Sequence, residues 1–209
     1  MLALMVFAIF VAMPLQSMGF LSPAPGAVIF TFLLLSGVAA ISGRRRVTAV
    51  AGIAAIITLG VRWAYFVSPG EALAIWGDGL GILSLALVVG FLLRQVFREG
   101  PITSDRIQGA IAVYMLLGLM WGLAYQVVDL LAPGSLQLPQ VQGGSHPVIN
   151  HTLMYFSFVT LTTVGYGDIT PVHPVARSLA NAEALIGQLY PAILIGRLVS
   201  LQISARDGR

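Results

Sequence analysis

The residues of this 209-residue chain best suited to chemistry lie in one short run, residues 160–168, with the sequence TLTTVGYGD. Two glycines alternate there with Val164 and Tyr166, directly after a short apolar stretch. Glycine readily adopts positive φ, so successive peptide units can turn their carbonyl oxygens toward one axis while the intervening side chains point away. A column of carbonyl oxygens, with the hydroxyl of Thr163 at its inner end, can replace the hydration shell of a cation.

The composition requires a membrane around this run. Residues of the AVILMFWYC class make up 57% of the chain, charged residues make up 9%, and the mean hydropathy is +0.91. A soluble domain carries about 25% charged residues, so this composition excludes a soluble enzyme and a disordered tail. The eleven basic residues are all arginines scattered between apolar runs, which argues against a nucleic-acid partner. Cysteine is absent, which excludes disulfides and thiolate metal sites.

The apolar segments predict an all-α integral membrane protein with six transmembrane helices. A spanning helix needs roughly 20 mostly apolar residues, and the predicted spans are 1–15, 24–41, 47–67, 77–97, 106–132 and 175–202. The first span is short, but it lacks the basic segment and cleavage site of a signal peptide, so we expect a short or tilted helix. A further apolar stretch, about 149–162, is too short to cross and predicts a re-entrant helix between spans five and six.

The arginines predict the orientation of the chain. They flank the loops after spans two and four and follow span six, whereas the opposite loops, 16–23, 68–76 and 133–147, contain none. The positive-inside rule therefore predicts a multi-pass protein of the plasma (inner) membrane with both termini in the cytoplasm.

The sequence TVGYG at 163–167 is the filter signature of the potassium-channel family, and the chain resembles that family over about residues 100–202. The residues after the filter and Arg177 are similar to the family's filter exit, and Gly187 stands where the family often has a hinge glycine. The resemblance implies a homotetramer in which each chain supplies one filter strand, 163–168. It also implies a four-helix peripheral domain (1–98) and a two-helix pore domain (99–209). The expected function is passive, K⁺-selective conduction with K⁺ as the permeant ion, no cofactor and no soluble ligand.

The same resemblance implies roles for the filter residues. The ion would be coordinated by the backbone of five consecutive residues and by the Thr163 hydroxyl: Thr163, Val164, Gly165, Tyr166 and Gly167.

The support of the filter departs from the pattern of some relatives. Val159 stands where some family members carry a glutamate that pairs with the filter aspartate. We therefore expect Asp168 to be supported by Tyr155 instead.

The fourth span does not predict a voltage sensor. Voltage sensors carry repeated arginines because one charge crossing the field contributes about 2.3 kcal/mol per 100 mV. This span holds only Arg94 and Arg98, both at its cytoplasmic end. Arg62 lies within span three, where we expect a structural ion pair with Asp78 or Asp129 rather than a sensor charge.

Span six contains the candidate gate and one buried acid. Glu183 either sets the position of the pore helix and senses protons, or simply hydrogen-bonds to the pore helix or Arg177. Gly187 and Pro191 predict either a gating hinge or a fixed kink. Helical spacing places a stripe of four residues toward the inner pore: Gln188, Pro191, Ile195 and Val199.

Three histidines near the outer pore mouth, His146, His151 and His173, are candidates for a response to external acid. Three alternatives to a selective channel stay open at this stage. One is a K⁺ transporter subunit, although transporters show matched repeats in two halves and this chain has one pore loop. The others are a weakly selective cation channel and a polytopic membrane enzyme.

Overall fold

The computed structural model describes residues 2–12, 14–15, 18, 20, 24–40, 45–98, 100, 102–138 and 151–207. Helices dominate this part of the chain. In order they are α1 (Leu2–Phe7), a π-helical segment (Ala8–Ala12), α2 (Ala24–Ala40), α3 (Arg45–Val67), α4 (Glu71–Val96), α5 (Ser104–Leu131), α6 (His151–Leu161) and α7 (Pro174–Asp207). Two short strands, β1 (Leu136–Gln137) and β2 (Thr170–Pro171), flank α6 in the sequence.

Four of these helices, α3, α4, α5 and α7, are long and apolar enough to cross a bilayer. The predicted helical, multi-pass membrane fold is therefore confirmed for these four. Helix α2 has 17 residues, or about 25 Å at 1.5 Å per residue. Helix α1 and its π-helical extension are shorter still, with six and five residues.

The predicted start of the fourth span at residue 77 is wrong by six residues. Helix α4 begins at Glu71, directly after the extended N-cap residue Gly70. An acidic residue in the first helical turn interacts favourably with the helix dipole, and Ala-Leu-Ala follows it, so the helix extends further out than the purely apolar run.

Helix α5 is the centre of the fold and packs against α1, α4, α6 and α7. Within the chain, 61% of its spanning segment is buried, compared with 22% for α3 and 11% for α7. Helices α2, α3 and α4 pack against one another in sequence on one side of α5. The two halves of the chain therefore share α5 as their common core, and α7 is left largely uncovered.

A two-stranded antiparallel sheet joins the segment after the C-terminal end of α5 to the segment before α7, and sequence reasoning missed it. Leu136 pairs with Pro171, and Gln137 pairs with Thr170. The carbonyl of Ser135 also accepts from the amides of Val172 and His173 at 2.9 and 3.1 Å. The segment that contains α6 and the run 163–168 is thus tied together at its two ends.

Candidate functional site

The short helix α6 is wedged against α5, and two glycines permit the close approach. Gly118 and Gly122 lie one turn apart on α5 and face Phe158 and Met154 of α6. A Cβ at Gly118 would come within 2.6 Å of the Phe158 ring, and one at Gly122 would overlap the Met154 sulfur. The two glycines therefore allow α6 to pack this closely against α5.

The C-terminal end of α6 is fixed by α5 and α7 together. A Cβ at Gly187 would overlap the carbonyl oxygen of Leu161, the last residue of α6. That same oxygen accepts a hydrogen bond from the Tyr114 hydroxyl at 3.1 Å. The Tyr114 ring stacks on Tyr190, whose hydroxyl donates to the Ala110 carbonyl at 2.8 Å. Gly187 thus lies at a packing contact, which the hinge interpretation of this residue did not include.

The backbone after α6 alternates between two conformations. Thr163, Gly165 and Gly167 have positive φ values of 58°, 59° and 78°, and no positive φ occurs at Val164 or Tyr166 between them. Alternating right- and left-handed residues direct successive peptide groups to the same side of the chain. Thr163 shares the left-handed conformation although it is not a glycine, which sequence reasoning did not anticipate.

The start of this strand is held by the backbone of α6. The carbonyl of Val159 accepts from the amides of Val164 and Gly165 at 3.0 and 3.3 Å, and the carbonyl of Thr160 accepts from the amide of Thr163 at 2.9 Å. With their amides engaged, these residues leave their carbonyls available to another partner. Val159 therefore supports the strand through its main chain, although its side chain cannot pair with Asp168.

Tyr155 and Asp168 come together at the C-terminal end of the strand. Their role in supporting a filter stays a prediction. A hydrogen bond to Asp168 is the main cause that raises the pKa of Tyr155 above its usual value. The phenol therefore remains a donor throughout the neutral pH range. Both residues line a cavity of about 630 Å³. Val164, Tyr166 and Phe10 of the N-terminal segment line the same cavity.

Glu183 is fully buried behind α6. Ser157 of α6 and Tyr125 of α5 both lie 2.6 Å from its carboxyl oxygens. The expected contact with the pore helix is thus present, whereas Arg177 donates instead to the Pro171 carbonyl at 3.1 Å. The buried carboxyl connects α5, α6 and α7.

Helix α7 runs continuously from Pro174 to Asp207 and includes Pro191. The hinge or kink at Gly187 and Pro191 stays a prediction. Gln188, Ile195 and Val199 are exposed in the single chain, and Pro191 is half-buried. Because most of α7 is exposed in the single chain, this exposure does not distinguish one face of the helix, and the inner-pore stripe stays a prediction.

Arg62 pairs with Asp78 and not with Asp129. Its guanidinium donates to Asp78 Oδ1 at 2.7 Å and lies 4.1 Å from the centre of the Phe30 ring. Asp129 accepts instead from the Ser135 hydroxyl at 3.3 Å. The pair is buried between α3 and α4, far in sequence from the run 163–168.

Of the three candidate histidines, His151 lines the same cavity as Val164 and Tyr166. Burial lowers the pKa of His151 below its usual value, so its ring stays neutral in mild acid. The Nδ1 atom of His173 accepts from the Val175 amide at 3.3 Å, at the start of α7. His146 lies outside the described residues.

Sequence reasoning missed the residues that position α6, although one signal was present. Gly118 and Gly122 form a G-x-x-x-G pattern, which favours close packing of helices in membranes. Ser157, Tyr114 and Tyr125 carry no comparable pattern, because a single hydroxyl in an apolar helix does not reveal its partner.

Comparisons with known proteins match this same region. The model of a family described as ion channels matches residues 150–202. This range holds α6, the run 163–168 and most of α7. The chain is 36% identical over 99 residues to the two pore potassium channel c of Oryza sativa subsp. japonica, covering 47% of this chain and 21% of that protein. It is 29% identical over 85 residues to the inward rectifier potassium channel Kirbac3.1 of Paramagnetospirillum magnetotacticum, covering 39% and 24%.

A shorter match, 50% identical over 46 residues, is to protein LctB of Bacillus caldotenax and covers 22% of this chain and 34% of that protein. The chain thus spans about a third or less of the length of these three relatives. No solved structure shows a significant match. The matches support the potassium-channel class and point to a channel, not to an enzyme.

Proposed function

We propose that the protein is a K⁺-selective channel in which four copies of the chain surround one pore and K⁺ passes passively. Thr163, Val164, Gly165 and Tyr166 coordinate the dehydrated ion through their carbonyl oxygens, with the Thr163 hydroxyl at the inner end and Gly167 at the outer end. K⁺ is the permeant ion, and the channel uses no cofactor or soluble ligand.

The observation that carries this proposal is the alternating backbone of the strand 163–167. Positive φ at every second residue supports a column of carbonyls on one side of the chain. The N–H groups of Val164 and Gly165 are bonded to α6. In a trans peptide the carbonyl points opposite to the N–H, so the carbonyls of Thr163 and Val164 face away from α6, toward the proposed axis. In a membrane, irregular backbone is tolerated where it lines a water-filled path.

The uncovered surfaces of the chain support a homotetramer. The side chains of Val164 and Tyr166 are 51% and 71% exposed, and only 11% of the spanning segment of α7 is buried. A single filter strand surrounds an ion only as part of a ring. In the tetramer, neighbouring chains cover these surfaces, and Gln188, Pro191, Ile195 and Val199 line the inner pore.

The first half of the chain is proposed to surround this pore without sensing voltage. Helices α1 and α2 complete six membrane segments, and both termini lie in the cytoplasm of a cell whose plasma (inner) membrane holds the channel. Arg94 is the one basic residue of α4 and lies in its last turn. A charge there crosses little of the membrane field.

The reversal potential of the purified protein in planar bilayers tests the proposal. Under a K⁺ gradient with Na⁺ opposing, we expect reversal near the K⁺ equilibrium potential. Current that reverses near zero would contradict selectivity, and K⁺ uptake that requires a coupled ion would contradict a channel.

A matched pair of substitutions tests the filter strand itself. We expect Gly165→Ala to abolish K⁺ selectivity, because a left-handed residue with a Cβ is disfavoured by roughly 1–2 kcal/mol in each chain. Gly134→Ala is the control, since Gly134 also has positive φ (80°) but lies in the turn after α5. Equal loss of selectivity in both variants would contradict a specific role for the strand 163–167.

A further inference from the structure

Two hydroxyl oxygens contact the buried carboxyl of Glu183, and a backbone carbonyl oxygen contacts one of these hydroxyls. The Tyr125 hydroxyl lies 2.6 Å from Oε2, and the Ser157 hydroxyl lies 2.6 Å from Oε1. The same Ser157 oxygen lies 2.7 Å from the carbonyl oxygen of Gly118. The side chains of Glu183, Ser157 and Tyr125 are fully buried.

The number of protons decides the charge of this cluster. A serine hydroxyl carries one proton, and a backbone carbonyl such as that of Gly118 can only accept. The proton of Ser157 therefore lies toward Gly118. The contact between Ser157 Oγ and Glu183 Oε1 then needs a second proton, because two oxygens without one repel each other at this distance. The carboxyl of Glu183 is the group that can supply it.

The charges around Glu183 lead to the same answer. No cation of the described residues lies within ion-pair distance of its carboxyl. From α5, the titratable groups that face it are Tyr125 and Tyr114. From α6 the facing group is the hydroxyl of Ser157, which does not titrate in this range. A buried carboxylate without a counter-charge is strongly disfavoured compared with the neutral acid.

On α7 itself, the nearest titratable groups are engaged elsewhere. The guanidinium of Arg177 donates to the Pro171 carbonyl, and the hydroxyl of Tyr190 donates to the Ala110 carbonyl.

We propose that Glu183 is a protonated, neutral acid in the folded channel and that its proton completes a hydrogen-bonded chain across three helices. Tyr125 donates to Oε2, the Oε1 hydroxyl donates to Ser157, and Ser157 donates to the Gly118 carbonyl. The chain connects α7 through α6 to α5, directly behind the filter strand. Glu183 is therefore a positioning residue for α6, and its effect on conduction rests on the proposed function.

Infrared spectroscopy of the full-length protein in lipid nanodiscs tests the protonation without reference to conduction. At neutral pH we expect the wild-type protein to show a carboxylic-acid C=O band that Glu183→Gln removes. Glu71→Gln is the control, because Glu71 is exposed and its substitution leaves that band in place. A spectrum that contains no such band, or a band that Glu183→Gln leaves unchanged, would overturn the proposal.

Substitution by glutamine also separates a neutral acid from an ionised one. The amide group of Gln can donate to Ser157 and accept from Tyr125, so we expect Glu183→Gln to keep the melting temperature of the detergent-solubilised oligomer. Glu183→Ala removes both contacts, and we expect it to lose that stability. Equal losses in the two variants would contradict a neutral Glu183.

The response to pH provides a second, independent readout. A carboxyl that is protonated only in the folded state makes the folding equilibrium constant fall roughly tenfold for each unit of pH above about 4.3, the usual pKa of an unfolded Glu. We therefore expect the wild-type oligomer to lose stability relative to Glu183→Gln between pH 5 and pH 8. Parallel pH profiles would overturn the proposal. A wild-type protein that shows the infrared band but no K⁺ selectivity in bilayers would instead contradict the proposed channel function and leave the protonation of Glu183 supported.

Discussion

Asp78 and Glu183 are the two acids that the described part of the chain buries, and they are stabilised in different ways. In the first half of the chain, Asp78 is paired with Arg62 at 2.7 Å, and Arg62 also packs on an aromatic ring. In the second half, Glu183 is surrounded by hydroxyls, and no cation of the described residues lies within ion-pair distance of it. A buried acid in a membrane protein needs either a counter-charge or a proton, and this chain uses one solution in each half.

The glycines of α4 pack less closely than those that face α6. On α4, the closest approach to an added Cβ is 3.2 Å, at Gly81, whereas Cβ atoms at Gly118, Gly122 and Gly187 would come within 2.6 Å of α6. The second half is thus held by short polar contacts and close backbone packing. The first half combines apolar side chains with an ion pair and a buried hydrogen bond, between Thr58 and Ser84 at 2.8 Å.

The largest effect is expected when the ion pair of the first half is broken. Asp78→Asn leaves the Arg62 cation buried without a counter-charge, which destabilises a protein by about 3–5 kcal/mol. We expect a large fall in the melting temperature of the purified oligomer. Replacing both partners, Arg62→Met with Asp78→Leu, should restore most of the loss. If the double variant is no better than Asp78→Asn, the pair is not the source of the stability.

A smaller effect is expected from filling the contact at Gly187. Gly187→Ala places a methyl group on the Leu161 carbonyl, and overpacking of this kind destabilises by about 1–3 kcal/mol. Gly90→Ala in α4 is the matched control, and we expect it to stabilise slightly, by up to about 1 kcal/mol, because Ala favours a helix over Gly. Thermal unfolding of both variants measures the difference. A Gly187→Ala protein with unchanged stability and altered gating would favour a simple hinge.

The smallest effect on stability is expected at the exposed acid, Asp168. Tyr155→Phe removes its hydrogen bond at the C-terminal end of the strand 163–167, where both residues are exposed. We expect unchanged melting but faster decay of K⁺ current during sustained opening. The hydrogen bond raises the pKa of Tyr155, so the phenol donates below that pKa and loses the contact only in strong alkali. The difference between the two proteins should therefore not vary between pH 6 and pH 9. A difference that disappears within that range would contradict this assignment.

Three long helices and part of the strand 163–167 could be predicted from sequence because their signals are local. Apolar length predicts α3, α5 and α7, and the two glycines predict the positive φ at residues 165 and 167 but not that at Thr163. The meeting of Tyr155 with Asp168 was also predicted, since both residues lie on one short segment.

The contacts between distant segments could not be predicted in the same way. Glu183 allowed two readings, and the choice depends on Ser157 and Tyr125, which lie 26 and 58 residues away. Asp78 and Asp129 were equal candidates for Arg62 because depth in the membrane does not distinguish two helices. The sheet between β1 and β2 was missed because two-residue strands carry no periodic pattern.

That small sheet has a consequence for how the chain can vary. Leu136 and Gln137 pair with Pro171 and Thr170, so hydrogen bonds close the chain on both sides of α6 and the strand 163–167. The entropy of closing a loop rises only slowly with its length. A change in length between β1 and α6 therefore adds little to the cost of closing this loop, as long as β1 and β2 still pair.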